Sequence, residues 1–177
     1  SSTEEGIYRD ALIRALESER WEVAAVLEEL GVPYPMETAI RYGDIEKVSK
    51  AVDENPMVLR DGYGILKRTS LQLAVMSEKP EMIQMLIDKD APLYDLDSEG
   101  NSALAYAVFN NKQDIVKQLL KAGIDINKPF GVKGFAAPVL HKAIKQSMAW
   151  AVPFLLDLGA KINGKDAQGN LPLHIAR

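Results

Sequence analysis

A chain of 177 residues fits one or at most two ordinary domains and is long enough to bury a substantial core. Hydrophobic residues make up 47% and charged residues 26%, and the net charge of −4 gives no overall pull toward nucleic acid or an anionic membrane. The lack of cysteine excludes disulfides, thiolate nucleophiles and cysteine-based zinc sites. No apolar run approaches the roughly 20 residues that span a bilayer. The charge is uneven: residues 1–60 hold 13 acids against 7 bases, and the remainder 12 against 14. No secretory leader is visible, and the chain starts at Ser1 without Met, so a piece of a longer chain is expected.

One small residue sets the register of the whole chain. Ala recurs at positions 15, 39, 74, 107, 143 and 176, at intervals of 24, 35, 33, 36 and 33. Counted from each Ala, apolar residues fall mainly at the eighth, ninth, twelfth and thirteenth places, which is one stripe of a helix. Each copy therefore holds a first helix begun by Leu-x-x-Ala and a second helix carrying the apolar quartet.

In the first copy, residues 7–33, Trp21 opens the second helix as an expected core residue, and Glu28 interrupts the quartet. Residues 30–35 then run almost straight into the second copy, 34–60, where Lys47 is the interruption. The third copy, 61–96, begins with a lengthened loop, Asp61–Arg68, and Pro80 starts its second helix, where a missing N–H costs nothing. The fourth, 97–129, is the clearest, with Ile115, Val116, Leu119 and Leu120 as quartet and Gly123 as a left-handed cap. A second lengthened loop, Pro129–Pro138, leads the fifth copy, 130–165, which ends on a Gly159 cap. There Trp150 is a candidate for exposure, and Pro153 lies inside the expected second helix, where it should bend it or cost about 3 kcal/mol. The closing GNLPLHIAR supplies the first half of a sixth copy, 166–177, so the natural fold is expected to continue past Arg177.

The period near 33 and a start of the type T-P-L-H-x-A resemble the ankyrin repeat family. The resemblance rests on Pro172 to Ala176, on Leu140-His141-Lys142-Ala143, and on the Gly-x-x-Ile-Asn segments at 123–127 and 159–163. It covers nearly the whole chain and is clearest over 70–177. It implies a single all-α domain, an ankyrin-like solenoid of about five and a half stacked helix pairs with hairpin loops and a degenerate N-terminal cap.

Little in the sequence points to chemistry. His141 and His174 are first suspects for a base or a metal ligand, but the resemblance places both at the family's His position, where the side chain bonds backbone and ties neighbouring loops. The fourth copy has Ala105 there, which breaks any functional row. Asp97 and Asp166 each stand three residues before a Gly and should serve hairpin turns. Gly62-Tyr63-Gly64 lacks the context of a phosphate loop, and no hydrolase, metalloprotease or EF-hand pattern occurs. Lysines are dispersed, which disfavours nucleic acid. No enzyme activity, no cofactor and no metal site is expected.

What remains is surface. The resemblance implies binding on a concave side, through loop tips and the exposed end of each first helix, two and three places after the register Ala. Those positions hold Arg41 and Tyr42, Met76 and Ser77, Phe109 and Asn110, Lys145 and Gln146. Met76 and Phe109 are apolar at adjacent copies and, with Tyr42, form the expected hot spot. The long loops add Tyr63 and Ile65, and Phe130 and Phe135, although the last two could instead fold back over the edge of the stack. The expected function is a cytoplasmic, monomeric module that binds another protein, without nucleic acid or membrane insertion. The alternative is a targeting or regulatory domain of a larger enzyme, transporter or secreted effector.

Overall fold

The structure, a computed structural model, describes residues 2–175, with side chains from Ile7 onward apart from Arg9. The register position at Ala176 lies outside the described residues. Helices run in pairs: α1 (Ser2–Glu17) with α2 (Trp21–Glu29), α3 (Met36–Tyr42) with α4 (Ile45–Glu54), and α5 (Ser70–Met76) with α6 (Pro80–Asp88). They continue with α7 (Ala103–Phe109) and α8 (Gln113–Lys121), then α9 (Val139–Lys145) and α10 (Ala151–Asp157), and α11 (Pro172–Ile175) opens the sixth copy. A 3-10 turn, Pro56–Arg60, follows α4. The expected pair of helices stands at every register Ala from Ala15 to Ala143.

Local chemistry starts these helices. Thr69 and Gln72 close a reciprocal capping box at α5, the Ser102 hydroxyl accepts the Ala105 N–H at α7, and Asp44 accepts the Lys47 N–H at α4. Pro80 sits in the first turn of α6 as expected. Pro153 needs a correction. Helix α10 begins only at Ala151, so Pro153 lies in its first turn, where N–H groups have no intrahelical partner, and the helix runs on through it to Asp157. Trp150 is half-buried just before that helix and packs on Phe154, with ring centroids 5.9 Å apart.

The first helices α3, α5, α7, α9 and α11 stand side by side, each touching the next. The register alanines Ala39, Ala74, Ala107 and Ala143 are fully buried between them, and their small side chains permit that approach. From the second helices, Met82, Ile83 and Leu86, then Ile115, Val116 and Leu119, then Ala151 and Leu155 join one continuous apolar cluster reaching from Leu12 to Ala160. The fourth members Ile87, Leu120 and Leu156 lie half-buried at its border. A single helix pair cannot bury its own stripe, and stacking solves this.

Glu28 and Lys47, the two interruptions of the early quartets, are partners: the Lys47 ammonium meets the Glu28 carboxylate across the first two copies. That ammonium also lies 4.5 Å from the centre of the Tyr34 ring. Tyr34 is buried and donates to Asp44 Oδ2 at 2.7 Å, so the short link between copies is pinned onto the cap of α4. Burial first, then the Asp44 hydrogen bond, raise the Tyr34 phenol pKa.

Candidate functional site

Both lengthened loops are narrow hairpins closed by an isolated bridge, Tyr63 with Arg68 in one and Phe130 with Ala137 in the other. Both are also held at the tip by the next copy. The Leu66 carbonyl accepts the Ser98 N–H at 2.8 Å and the Ser98 hydroxyl at 3.0 Å. The Ala136 carbonyl accepts the Ala167 N–H at 2.8 Å, and the Gly134 carbonyl accepts the Gln168 side-chain amide. The turns that grip them are the ones anticipated. Asp97 Oδ1 accepts the N–H groups of Glu99 and Asn101, and Asp166 Oδ1 those of Gln168 and Asn170.

These tips hold the sequence-predicted residues in unequal ways. Phe135 is 70% exposed and Ile65 96% exposed. Tyr63 is half-buried, and its hydroxyl donates to the Val58 carbonyl at 3.1 Å, so it supports its loop from beneath. Phe130 is corrected outright: at 5% exposure it is a core residue and not a surface contact. It folds back between Phe109, at 6.5 Å between centroids, and the Lys142 ammonium, 4.1 Å from the ring centre. The fold-back reading therefore holds for Phe130 and fails for Phe135, because the bridge at 130 turns the loop base inward while the tip is carried outward.

On the first helices, Met76 and Ser77 are half-buried at the end of α5, and Phe109 is half-buried at the same place on α7. Asn110 is exposed, with its amide donating to the Tyr106 carbonyl at 2.8 Å. Lys145 and Gln146 are exposed at the end of α9. Arg41 is half-buried and reaches the Glu37 carboxylate at 2.9 Å. Tyr42 packs on the core and lines an open cleft of about 960 Å³ together with Trp21, Lys79 and Met82. The stacking of first helices thus brings Met76 and Phe109 into one row, with Tyr42 at the margin of a neighbouring cleft.

The histidines do not converge. His141 is 1% exposed and its Nε2 donates to the Asn170 carbonyl at 3.1 Å, tying α9 to the next hairpin. His174 is exposed, and its Nδ1 accepts the Leu171 N–H of its own turn. Among the described residues no group of three His, Asp or Glu side chains is placed to hold a metal.

Two further ties escaped the sequence reading. Gln72 is fully buried, and its amide donates to the carbonyls of Asp95 and Asn101 at 3.0 and 2.9 Å, repeating for the fourth copy what His141 does for the sixth. Its signal was available, since Gln72 stands two residues before Ala74 as His141 stands two before Ala143. The second tie is a chain: Arg68 Nε donates to the Tyr106 hydroxyl at 3.2 Å, which donates to Asp97 Oδ2. Burial holds the Tyr106 phenol above its ordinary pKa, against Arg68 and with the help of Asp97. No local pattern announces a contact across 38 residues.

Comparison with known proteins agrees with this geometry. Residues 36–129, more than half of the chain, match the family model for ankyrin repeats in three copies. The chain is 31% identical over 167 residues to an ankyrin repeat protein of Rickettsia bellii (strain RML369-C), covering 78% of this chain and 24% of that protein. It is 31% identical over 109 residues to the ankyrin repeat protein FPV223 of fowlpox virus (strain NVSL), covering 62% of this chain and 74% of the viral protein. A third relative, the palmitoyltransferase Hip14 of Drosophila melanogaster, is 31% identical over 114 residues, 64% of this chain and 17% of the enzyme.

Proposed function

The chain belongs to the ankyrin repeat family, whose repeats are in general protein–protein interaction modules, and on that premise we propose that it binds a protein partner through the concave row of its first helices. The observation that carries this reading is the pair Met76 and Phe109. Both are large and apolar, both are only half-buried, and they occupy the same place on the adjacent helices α5 and α7. Partly exposed apolar side chains on a rigid face supply binding energy without the cost of ordering the backbone that carries them. Ser77 and Asn110 flank them, and Arg41, Tyr42 and Lys145 extend the row.

In this reading the module is a non-catalytic monomer that acts in the cytoplasm without a cofactor. The test is a capture from extract of the native cell, followed by titration of the purified partner. Replacing Met76 and Phe109 together by Ser should weaken affinity by tenfold or more, with the helical spectrum retained. Unchanged affinity would end the assignment.

A second reading is a targeting or regulatory domain of a larger protein. It is favoured by the small share, 17% and 24%, that the chain covers of Hip14 and of the Rickettsia protein. A catalytic signature elsewhere in the natural chain would make this module its specificity element.

A further inference from the structure

We propose that the edge formed by the second insertion loop and the C-terminal hairpins docks peripherally on an anionic lipid surface. The apolar part is the loop tip. Phe135 is 70% exposed, and Val132 is exposed beside it. Hydrogen bonds to Ala167 and Gln168 fix the backbone on both sides of Phe135, and the bridge between Phe130 and Ala137 fixes the base. Ile65 projects in the same way from the same place two copies earlier. An apolar side chain on a protruding tip gains little from a protein unless a matching pocket exists. A headgroup–acyl boundary accepts it wherever it lands.

The polar part is cationic. From residue 125 onward the chain carries seven bases against three acids, a local excess that the overall charge of −4 conceals. On this edge Lys128, Lys133, Lys161 and Lys165 are exposed, and among the described residues none of them is in a salt bridge, while the Lys128 ammonium lies over the Tyr94 ring, 3.4 Å from its centre. The nearby acids Asp125 and Asp166 accept the N–H groups of Asn127, and of Gln168 and Asn170, and offset two of these four lysines. The stack brings the lysines together in pairs: Asn127 bonds both the Gly159 carbonyl and the Lys161 N–H, which sets Lys128 next to Lys161 along the chain path, and Ala167 bonds Ala136, which sets the hairpin of Lys165 against the loop of Lys133. Clustered lysines beside an exposed aromatic ring match a negatively charged headgroup layer. The acidic residues 1–60 would be repelled from that layer, which sets the orientation. Among the described residues no helix is long and apolar enough to cross a membrane, so the contact lies at the surface.

Vesicle flotation tests this, with phosphatidylcholine alone against phosphatidylcholine containing about a third phosphatidylserine. The full chain should float with the anionic vesicles, not with the neutral ones, and less as salt rises. Each lysine changed to Gln should lower the partition about fivefold, and the triple change at Lys133, Lys161 and Lys165 on the order of a hundredfold. Phe135→Ser should lower it about tenfold with the thermal melt unchanged. Met76→Ser alone should float like the natural chain, which keeps this edge separate from the concave row; Phe109 is left in place because it packs on Phe130 at the base of the loop. Three results would overturn the proposal: no flotation, flotation indifferent to Phe135→Ser, or retention on polyglutamate while the vesicles stay bare.

Discussion

Gly100 and Gly169 stand at the same place in the fourth and sixth hairpins, and both adopt left-handed backbone, with φ of 78° and 82°. Their surroundings differ. A Cβ at Gly100 would lie 2.5 Å from the Val132 nitrogen and 2.7 Å from the Gly131 carbonyl carbon, while at Gly169 nothing lies within 4 Å. Gly169→Ala should therefore cost only the left-handed strain, about 1–2 kcal/mol. Gly100→Ala must also displace the second insertion loop, and should cost about 3–4 kcal/mol. Urea denaturation of the two variants compares them directly, and equal losses would mean that the close approach constrains nothing. The Gly-Asn pairs were legible as turns. That one of them presses against a loop some 30 residues later was not, because steric contact between copies leaves no mark on either segment alone. The row formed by Gln72, Ala105 and His141 falls between these cases. Alignment on the register Ala would have exposed it, but Gln and His look unrelated until both are seen to bond carbonyls of the following hairpin.

Period and punctuation mark the helices and turns, and the structure departs from that pattern where a helix boundary shifts. Pro153 falls inside a second helix spaced like those of the other copies, but Ala149 and Trp150 form a turn that delays the start of α10 to Ala151. The turn joining each helix pair carries a cost that the sequence hides. Four places after the register Ala, the backbone is left-handed in each of the first five copies, at Glu19, Gly43, Glu78, Asn111 and Ser147. Only the second copy has Gly there. Ser147, with φ of 56°, is exposed and lies outside the salt bridges, so Ser147→Gly relieves strain of about 1–2 kcal/mol and returns about 0.5–1 kcal/mol to the unfolded chain. The expected outcome is a melting temperature higher by about 2 °C, read by calorimetry. A fall would show that the hydroxyl has a role in the turn. The lengthened loops were visible as longer intervals. Their docking onto the next hairpin was not, since backbone carbonyls make those bonds and any residue supplies a carbonyl.

At the scale of the molecule, the solenoid was legible because its cause, one apolar stripe repeated at a fixed interval, is itself a sequence pattern. The split of charge between acidic start and basic end was partly legible, and the stack turns it into a property of one edge. The copies communicate mainly with their neighbours. Ending the chain at Lys165 would remove the partners of His141, Gly134 and Ala136. The amides of Phe130 and Ala137 should then exchange with solvent much faster, while those of Tyr63 and Arg68, gripped by Ser98, should keep their rates. Amide exchange followed by mass spectrometry reads both, and uniform acceleration would show that the stack opens as one unit instead. The same dependence has a direction in time. Each insertion loop is fastened by residues about one copy later in the chain, Leu66 by Ser98 and Ala136 by Ala167. A polypeptide emerging from the ribosome N-terminus first therefore releases each loop before the residues that shape it exist. Ile65 and Phe135 take up their final positions only once the following copy has been synthesised, so the exposed tips are finished one copy behind the growing end.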